Sequence, residues 1–484
     1  MKIQTAFLIA KEEWRYWRRS RLGVITGLTL LMLVLASIVS TTLQVETERA
    51  ARENFQANAE QTFREQPARH PHRMVHYGHY VFRTPAPLAM IDPGVDTHTG
   101  TIMFLEGHRQ NTAVFSPRYS APQAGSFAEL TPAFSYQILA PLLFVIIGFA
   151  SISREREGKT DYILVTSAIS PVELWLGKSL ALTSVAMIAL IPMAIALVFA
   201  VTQGENVIIA SVFFLGYMAY LACWSSLITA VSAWARQSSL SLSILLSNWV
   251  LLCVILPRLA SSAAGTAVPL DGKIAKDLEM TRTLRELGDG HNANDPAFEK
   301  LRAQLLEQYN VKDVEGLPVN FRGMVAHTSE ANLTEVLNTF ADERMEKESA
   351  QSHLVRWLSP LSPALVAKAF SISLASTDLR QHHRFLRDAE ALRYDFVQKI
   401  NQLHAHQLSY ADDIRRSDDE ASSQRARISG ENWRLLKTFS WQPSGAGERL
   451  SEILPQLIIL LSWVAGSALF GAAGTQRLFR ENDV

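Results

Sequence analysis

Residues 134–201 read FSYQILAPLLFVIIGFASISREREGKTDYILVTSAISPVELWLGKSLALTSVAMIALIPMAIALVFAV. An uncharged run, 134–152, gives way to the block Arg154-Glu155-Arg156-Glu157-Gly158-Lys159-Thr160. The apolar turn Tyr162-Ile163-Leu164-Val165 follows, and a second uncharged run begins at Ser179. About 20 apolar residues of helix cross the roughly 30 Å of a bilayer core. The stretch therefore reads as span, polar loop, span.

Four more windows behave alike, at 22–43, 207–233, 239–257 and 453–475, and none of the six contains Asp, Glu, Lys or Arg. In lipid the backbone must satisfy its own hydrogen bonds, so each is expected to be a helix, with Pro141, Pro192 and Pro455 covered by neighbours. The first window is longer than a signal-peptide core and lacks a cleavage site, which predicts a retained span. The whole chain has 484 residues, 48% of them apolar, and no net formal charge. Charged residues are segregated rather than mixed in, as expected for spans joined by water-exposed parts. A neutral total gives no sign of nucleic-acid binding, and no nucleic-acid partner is expected. Cys223 and Cys253 both fall in apolar runs and are read as small core residues.

The short loops set the orientation. Basic residues gather before the first window (Lys2, Lys11, Arg15, Arg18, Arg19, Arg21), after the second (Arg154, Arg156, Lys159), at Arg236, and at Arg477 and Arg480; the loop Thr202–Asn206 has none. The positive-inside rule then predicts a multi-pass protein of the bacterial inner membrane with both termini cytoplasmic. The expected order is an amphipathic elbow helix at 1–21, spans at 22–43, 134–152, 179–201, 207–233, 239–257 and 453–475, and a cytoplasmic loop at 153–178. Periplasmic domains are expected at 44–133 and 258–452, and a tail at 476–484. In the elbow, Phe7, Ala10, Trp14 and Trp17 share one face flanked by Arg18, a pattern suited to the membrane interface.

The loop 151–179 resembles that of the ABC-2-type exporter permeases, in which a stretch of the form E-x-E-x-G-T…LL-x-S-P-V…LGK between spans two and three docks on the nucleotide-binding subunit. Glu155, Glu157, Gly158, Thr160, Leu164, Ser167, Pro171, Val172, Gly177 and Lys178 match. Lys159 is interposed, and Ala168-Ile169 widens the gap before Ser170-Pro171. The resemblance implies that Arg154–Thr160, Leu164, Ser167 and Pro171 couple to an ABC ATPase subunit, with Trp14, Trp17 and Arg18 of the elbow beside them. A short apolar helix with a charged rim suits such a groove, and Gly158 is expected to permit a sharp turn. It also implies a second permease copy or a sister permease. The large loops after spans one and five, with His76-Tyr77-Gly78-His79-Tyr80-Val81-Phe82, Asp92-Pro93-Gly94 and Leu105-Glu106-Gly107-His108, are similar to one subgroup of that family.

Gly158-Lys159-Thr160 and Gly177-Lys178-Ser179 look like the end of a phosphate-binding loop. Position 153 is Ser and 172 is Val, where that motif needs Gly, and no strand leads in. No ATPase activity or cofactor is therefore expected in this chain; ATP and Mg would belong to the partner.

Met74–Phe115 is rich in aromatic, β-branched, Pro and Gly residues and predicts short strands, so the fold expected is mainly α with a small mixed α/β outer domain and a larger helical one. In the latter, Phe298, Leu301, Leu305 and Tyr309 form one helical stripe, and Leu386, Ala389, Leu392, Phe396, Ile400 and Leu403 another. Ala364–Leu374 is apolar but too short to span, and either lies on the outer leaflet or packs under the domain. His70, His72, His76 and His79 cluster, with His98 and His108 further on. Imidazole favours transition metals, yet the spacing fits no standard site and no Cys or Met ligands accompany it. No metal is assigned, and hydrogen-bonding histidines are expected.

With no ionisable residue in the windows, an externally powered carrier is expected over a proton- or sodium-coupled one. The candidate translocation surface is Tyr136, Gln137, Ser225, Ser226, Thr229 and Asn248, residue types that more often join helices. The leading expectation is an export permease; the alternative is a membrane-anchored periplasmic sensor or scaffold, for which the 151–178 loop is expendable.

Overall fold

The computed structural model describes residues 3–114, 130–167, 169–288 and 290–482. Phe115 and the rest of 115–129 in the first large loop, Ala168 in the short loop, and 483–484 in the tail lie outside the described residues.

The chain is mainly helical, and its described residues hold one two-stranded antiparallel sheet. In order, the elements are α1 (Ile3–Ser20), α2 (Leu22–Arg64), α3 (Pro71–Val75), β1 (His79–Phe82), β2 (Ile102–Leu105), α4 (132–148), α5 (Ser153–Glu157), α6 (Asp161–Thr166), α7 (Pro171–Ala189), α8 (Ile191–Thr202), α9 (Val207–Trp234), α10 (Ser238–Ala267), α11 (Lys273–Glu286), α12 (Glu299–Tyr309), α13 (Phe321–Leu358), α14 (Pro363–Ala375), α15 (Leu379–Gln407), α16 (Tyr410–Arg415), α17 (Glu420–Arg425) and α18 (Ala446–Asn482). Six helical segments are long and apolar enough to cross a membrane: α2, 132–157, α7, α9, α10 and α18.

The helices run past the hydropathy windows. α2 continues for 43 residues, about 65 Å at 1.5 Å per residue. Its polar half holds together through helix-face pairs such as Arg52–Glu48 at 2.8 Å and Arg64–Glu60 at 3.1 Å. α10 likewise runs ten residues beyond Pro257. The third apolar helix starts at Pro171 instead of Ser179, because Ser170 and Glu173 form a reciprocal capping box with Pro in the first turn. It ends at Leu190, where Pro192 cannot continue the hydrogen-bond ladder, and α8 follows. Arg21, with φ of 59°, separates α1 from α2.

Two of these helices contain a π turn, Ser135–Leu139 before Pro141 and Leu251–Ile255 before Pro257. Proline removes a donor and displaces the carbonyl one turn earlier. Neighbouring helices collect the freed oxygens. Tyr220 Oη donates to Gln137 O at 2.5 Å, Trp249 Nε1 to Ile138 O at 2.9 Å, and Ser362 Oγ to Leu252 O at 2.5 Å. Unpaired carbonyls in an apolar bundle would cost several kcal/mol each.

α14 is an internal element of the bundle, which resolves the alternatives its length left open. Val366, Phe370 and Leu374 are buried in the same core as Phe213, Tyr217 and Leu460. A Cβ at Gly216 would overlap the Phe370 ring, and Tyr217 Oη and Ser371 Oγ lie 2.9 Å apart.

The two large polar segments build one lobe, because both contribute side chains to two of its cores. Phe63, Met74 and Val75 pack with Phe396, Ile400 and Trp433. Val81, Met103 and Leu105 of the sheet pack with Phe385, Ala389 and Trp441. The α15 stripe lies across both cores, while Phe298, Leu301 and Leu305 sit in a third around Phe321 and Val325. Lobe and bundle meet at a buried bidentate pair, with Arg449 Nη1 and Nη2 3.0 and 2.9 Å from the Glu205 carboxylate.

Candidate functional site

The end of the bundle opposite the lobe is built from α1, α5, α6 and the start of α7. α1 lies against α7 because small residues let the backbones approach. Ala6 and Ala10 are buried, and a Cβ at Gly177 would overlap Ile9. This turns the buried face of α1 to Ala6, Ala10, Glu13 and Trp17 and leaves Phe7 60% exposed. The stripe expected through Phe7 is thus rotated by the demand for close packing. Trp17 is enclosed rather than placed at an interface. Trp14 is half-buried and donates to Ser184 Oγ at 2.7 Å, whereas Arg18 is exposed.

At the centre is a four-residue ionic cluster drawn from three helices. Glu13, only 1% exposed, accepts from Lys178 Nζ at 2.8 Å and pairs with Arg154. Lys178 also reaches Glu155 Oε1 at 3.1 Å, and Thr160 Oγ1 donates to Glu155 Oε2 at 2.6 Å. Arg154 covers the Tyr16 ring at 3.8 Å. The rest of the charged block is also engaged internally. Arg156 pairs with Glu481 of α18 and donates to Ala233 O at 3.2 Å; Glu157 accepts from the backbone of Ser238 at 3.2 Å. One carboxylate serving two cations meets the requirement for keeping charges out of water.

The expected docking residues therefore fall into two groups. Arg154, Glu155, Arg156 and Glu157 tie the loop to α1, α7, α9, α10 and α18. Pro171 starts α7, and Leu164 packs against Ile152, Leu174 and Leu478. The outward surface comprises Gly158, Lys159, Thr160 and Ser167, together with Tyr162 and Ile163 at 62% and 63% exposure. These last two are the prominent apolar side chains of α6. The turn before α6 differs from expectation. Gly158 has an ordinary φ of −82°, and the left-handed residue is Lys159 at 55°. Gly158 ends α5, and the tight reversal falls one residue later. Neither phosphate-loop look-alike forms such a loop: Gly158 closes a helical turn, and Gly177-Lys178-Ser179 lies inside α7.

The polar residues of the apolar helices are mostly sealed. Tyr136 donates to Ala189 O at 2.7 Å, Gln137 Nε2 to Tyr217 Oη at 2.7 Å, and Ser225 to Leu221 O at 2.8 Å. Thr229 Oγ1 lies 2.6 Å from Ser179 Oγ, and Ser226 is buried. Asn248 alone of the six is partly open. An open apolar groove between α9 and α18, lined by Leu227, Ile459, Trp463, Gly466 and Phe470, includes none of them.

Residues 277–442 match the family described as Domain of unknown function (DUF3526), a stretch that begins within α11 and includes α12 to α17. No curated protein matches the chain.

Proposed function

We propose that this chain is the membrane-spanning permease subunit of an ABC-2-type exporter in a bacterial inner membrane, driven by ATP hydrolysed on a separate subunit. In this reading both termini and α6 face the cytoplasm and the lobe is periplasmic, in line with the basic short loops. The observation that carries it is α6: a short helix with Tyr162 and Ile163 exposed, mounted on an ionic cluster that binds α1, α5 and α7 together. Apolar anchors rimmed by charge suit a groove on a soluble partner. Because the base of α6 is fixed to α7 and α18, a push on the tip would tilt helices rather than fold a loop aside.

The pore would form with a second copy or a sister permease, since the polar side chains inside this chain are largely paired with one another. ATP and Mg would sit in the partner, and this chain would contribute no catalytic group. The test is co-purification from native membranes with an ABC-type nucleotide-binding subunit. Ile163→Glu is expected to reduce recovery of that subunit at least tenfold while the permease keeps its unfolding temperature. Undiminished recovery would remove the docking assignment. Charge reversal at Glu155 is the poorer probe, because it would disrupt the internal cluster as well as any contact.

A further inference from the structure

The lobe gathers four histidines that lie far apart in the chain. His72 and His76 occupy successive turns around α3. His108 follows β2, and His291 lies in the turn region after α11. Their ligand nitrogens all lie within 4.8 Å of one another. His72 Nε2 and His76 Nε2 are 3.2 Å apart, close to the roughly 3.3 Å edge of a tetrahedron with about 2.05 Å metal–nitrogen bonds. We infer that His72, His76, His108 and His291 form a binding site for one borderline divalent transition cation of the zinc class.

Two further observations bear on this. The first is the outer shell of His108. Its Nδ1 lies 2.8 Å from the fully buried Glu330 carboxylate, which Arg393 Nη1 holds at 2.5 Å. A carboxylate on one imidazole nitrogen orients the ring and leaves the other for a metal. That other atom, His108 Nε2, is buried with no hydrogen-bond partner. The second is backbone geometry. His108 has φ of 61°, an uncommon conformation for a residue with a side chain. It is held there by Gly107 N donating to Val75 O at 2.9 Å and His108 N donating to Glu330 at 3.2 Å.

The donor set selects the ion. Four imidazoles suit Zn²⁺, Cu²⁺ and Ni²⁺, whereas Mg²⁺ and Ca²⁺ take oxygen ligands. His76 and His291 are exposed, so an ion can enter without opening the lobe. A second group, His70, His404 and Asp413, is buried, and its Asp413 carboxylate is already engaged. Asp413 accepts from His404 at 2.7 Å, His70 at 3.1 Å and Asn320 at 3.1 Å, and pairs with Arg416. That group is a structural hydrogen-bond node.

Binding would clasp the 290–295 turn to α3 and so add a further link between the two polar segments. The inference is independent of transport and is tested without a partner. The full-length chain, purified without a polyhistidine tag and stripped of metal, is titrated with ZnCl₂ by calorimetry. One Zn²⁺ per chain is expected, displaced by Cu²⁺ and not by millimolar Mg²⁺ or Ca²⁺. His76→Ala and His291→Ala should each weaken binding at least tenfold and together abolish it, while His98→Ala, at an exposed histidine outside the cluster, leaves it unchanged. X-ray absorption on the wild-type zinc complex should show at least three imidazole nitrogens at about 2.0 Å. Absence of saturable binding, persistence of binding in the double variant, or fewer than three imidazoles would overturn the site.

Discussion

At the loop end of the bundle, Glu13, Arg154, Glu155 and Lys178 are consumed in ion pairs while Tyr162 and Ile163 stand in the open. In the lobe, Phe63, Phe396 and Trp433 are consumed in a core while His76 and His291 stand in the open. The difference follows from what each region must anchor. The loop end joins a short polar connection to apolar helices, and buried ion pairs fix its geometry where little apolar area is available. The lobe draws on apolar cores, with buried ion pairs such as Arg393–Glu330 beside them. In both places the residues left exposed carry the proposed contact, and their chemistry is opposite: apolar for a protein groove, imidazole for a cation.

The largest effect that sharpens this contrast should come from Glu13. Glu13→Ala leaves Lys178 and Arg154 without their shared carboxylate and is expected to cost about 3–5 kcal/mol, read as a lower unfolding temperature of the detergent-solubilised chain. Wild-type stability would mean the cluster is solvated and does not anchor α6.

A second probe addresses the lobe. Burial, against the pull of Glu60 and with the help of Arg64, lowers His79 to about 4, and burial together with Arg83 and His383 lowers His382 to about 4, from an ordinary 6.5. The unfolded chain takes up these protons first as the pH falls, so the stabilisation is complete above about 6.5 and is lost towards 4. His79 alone accounts for up to about 3 kcal/mol. Hydrogen exchange in the lobe should accelerate over that window, and His79→Phe should flatten the dependence. An unchanged pH profile in that variant would contradict the assignment.

The smallest effect concerns the turn. Lys159→Gly relieves a left-handed residue and is expected to stabilise by about 1 kcal/mol, whereas Gly158→Ala, at an ordinary φ, should not lower stability. Reversed signs in thermal unfolding would place the reversal at Gly158.

The sequence shows the six apolar helices because the absence of charge is a local property. It hides where they end. Residues 46–64 of α2 remain helical with no hydropathy signal, and only the Ser170–Glu173 capping pattern could have moved the start of α7 to Pro171. Periodicity reveals the apolar face of α15 for the same local reason. The division of the loop into anchor and tip was not legible, because Glu13 and Lys178 meet across 165 positions. The spacing of His72 and His76 on adjacent turns was the visible half of the histidine cluster; His108 and His291 come from separate segments, beyond any spacing rule. Of the polar residues expected to line a path, Tyr136, Gln137 and Thr229 bond instead to Ala189 O, Tyr217 and Ser179 of other helices, partners that arise only once the helices are assembled.

The most direct measurement places a photo-crosslinking amino acid at position 163, and separately at 157, in the intact chain expressed in its native cells, and asks by mass spectrometry whether an ABC ATPase is captured. Illumination should join the ATPase to position 163 and leave the position 157 variant uncoupled. Crosslinking from 157 with none from 163 would contradict the account.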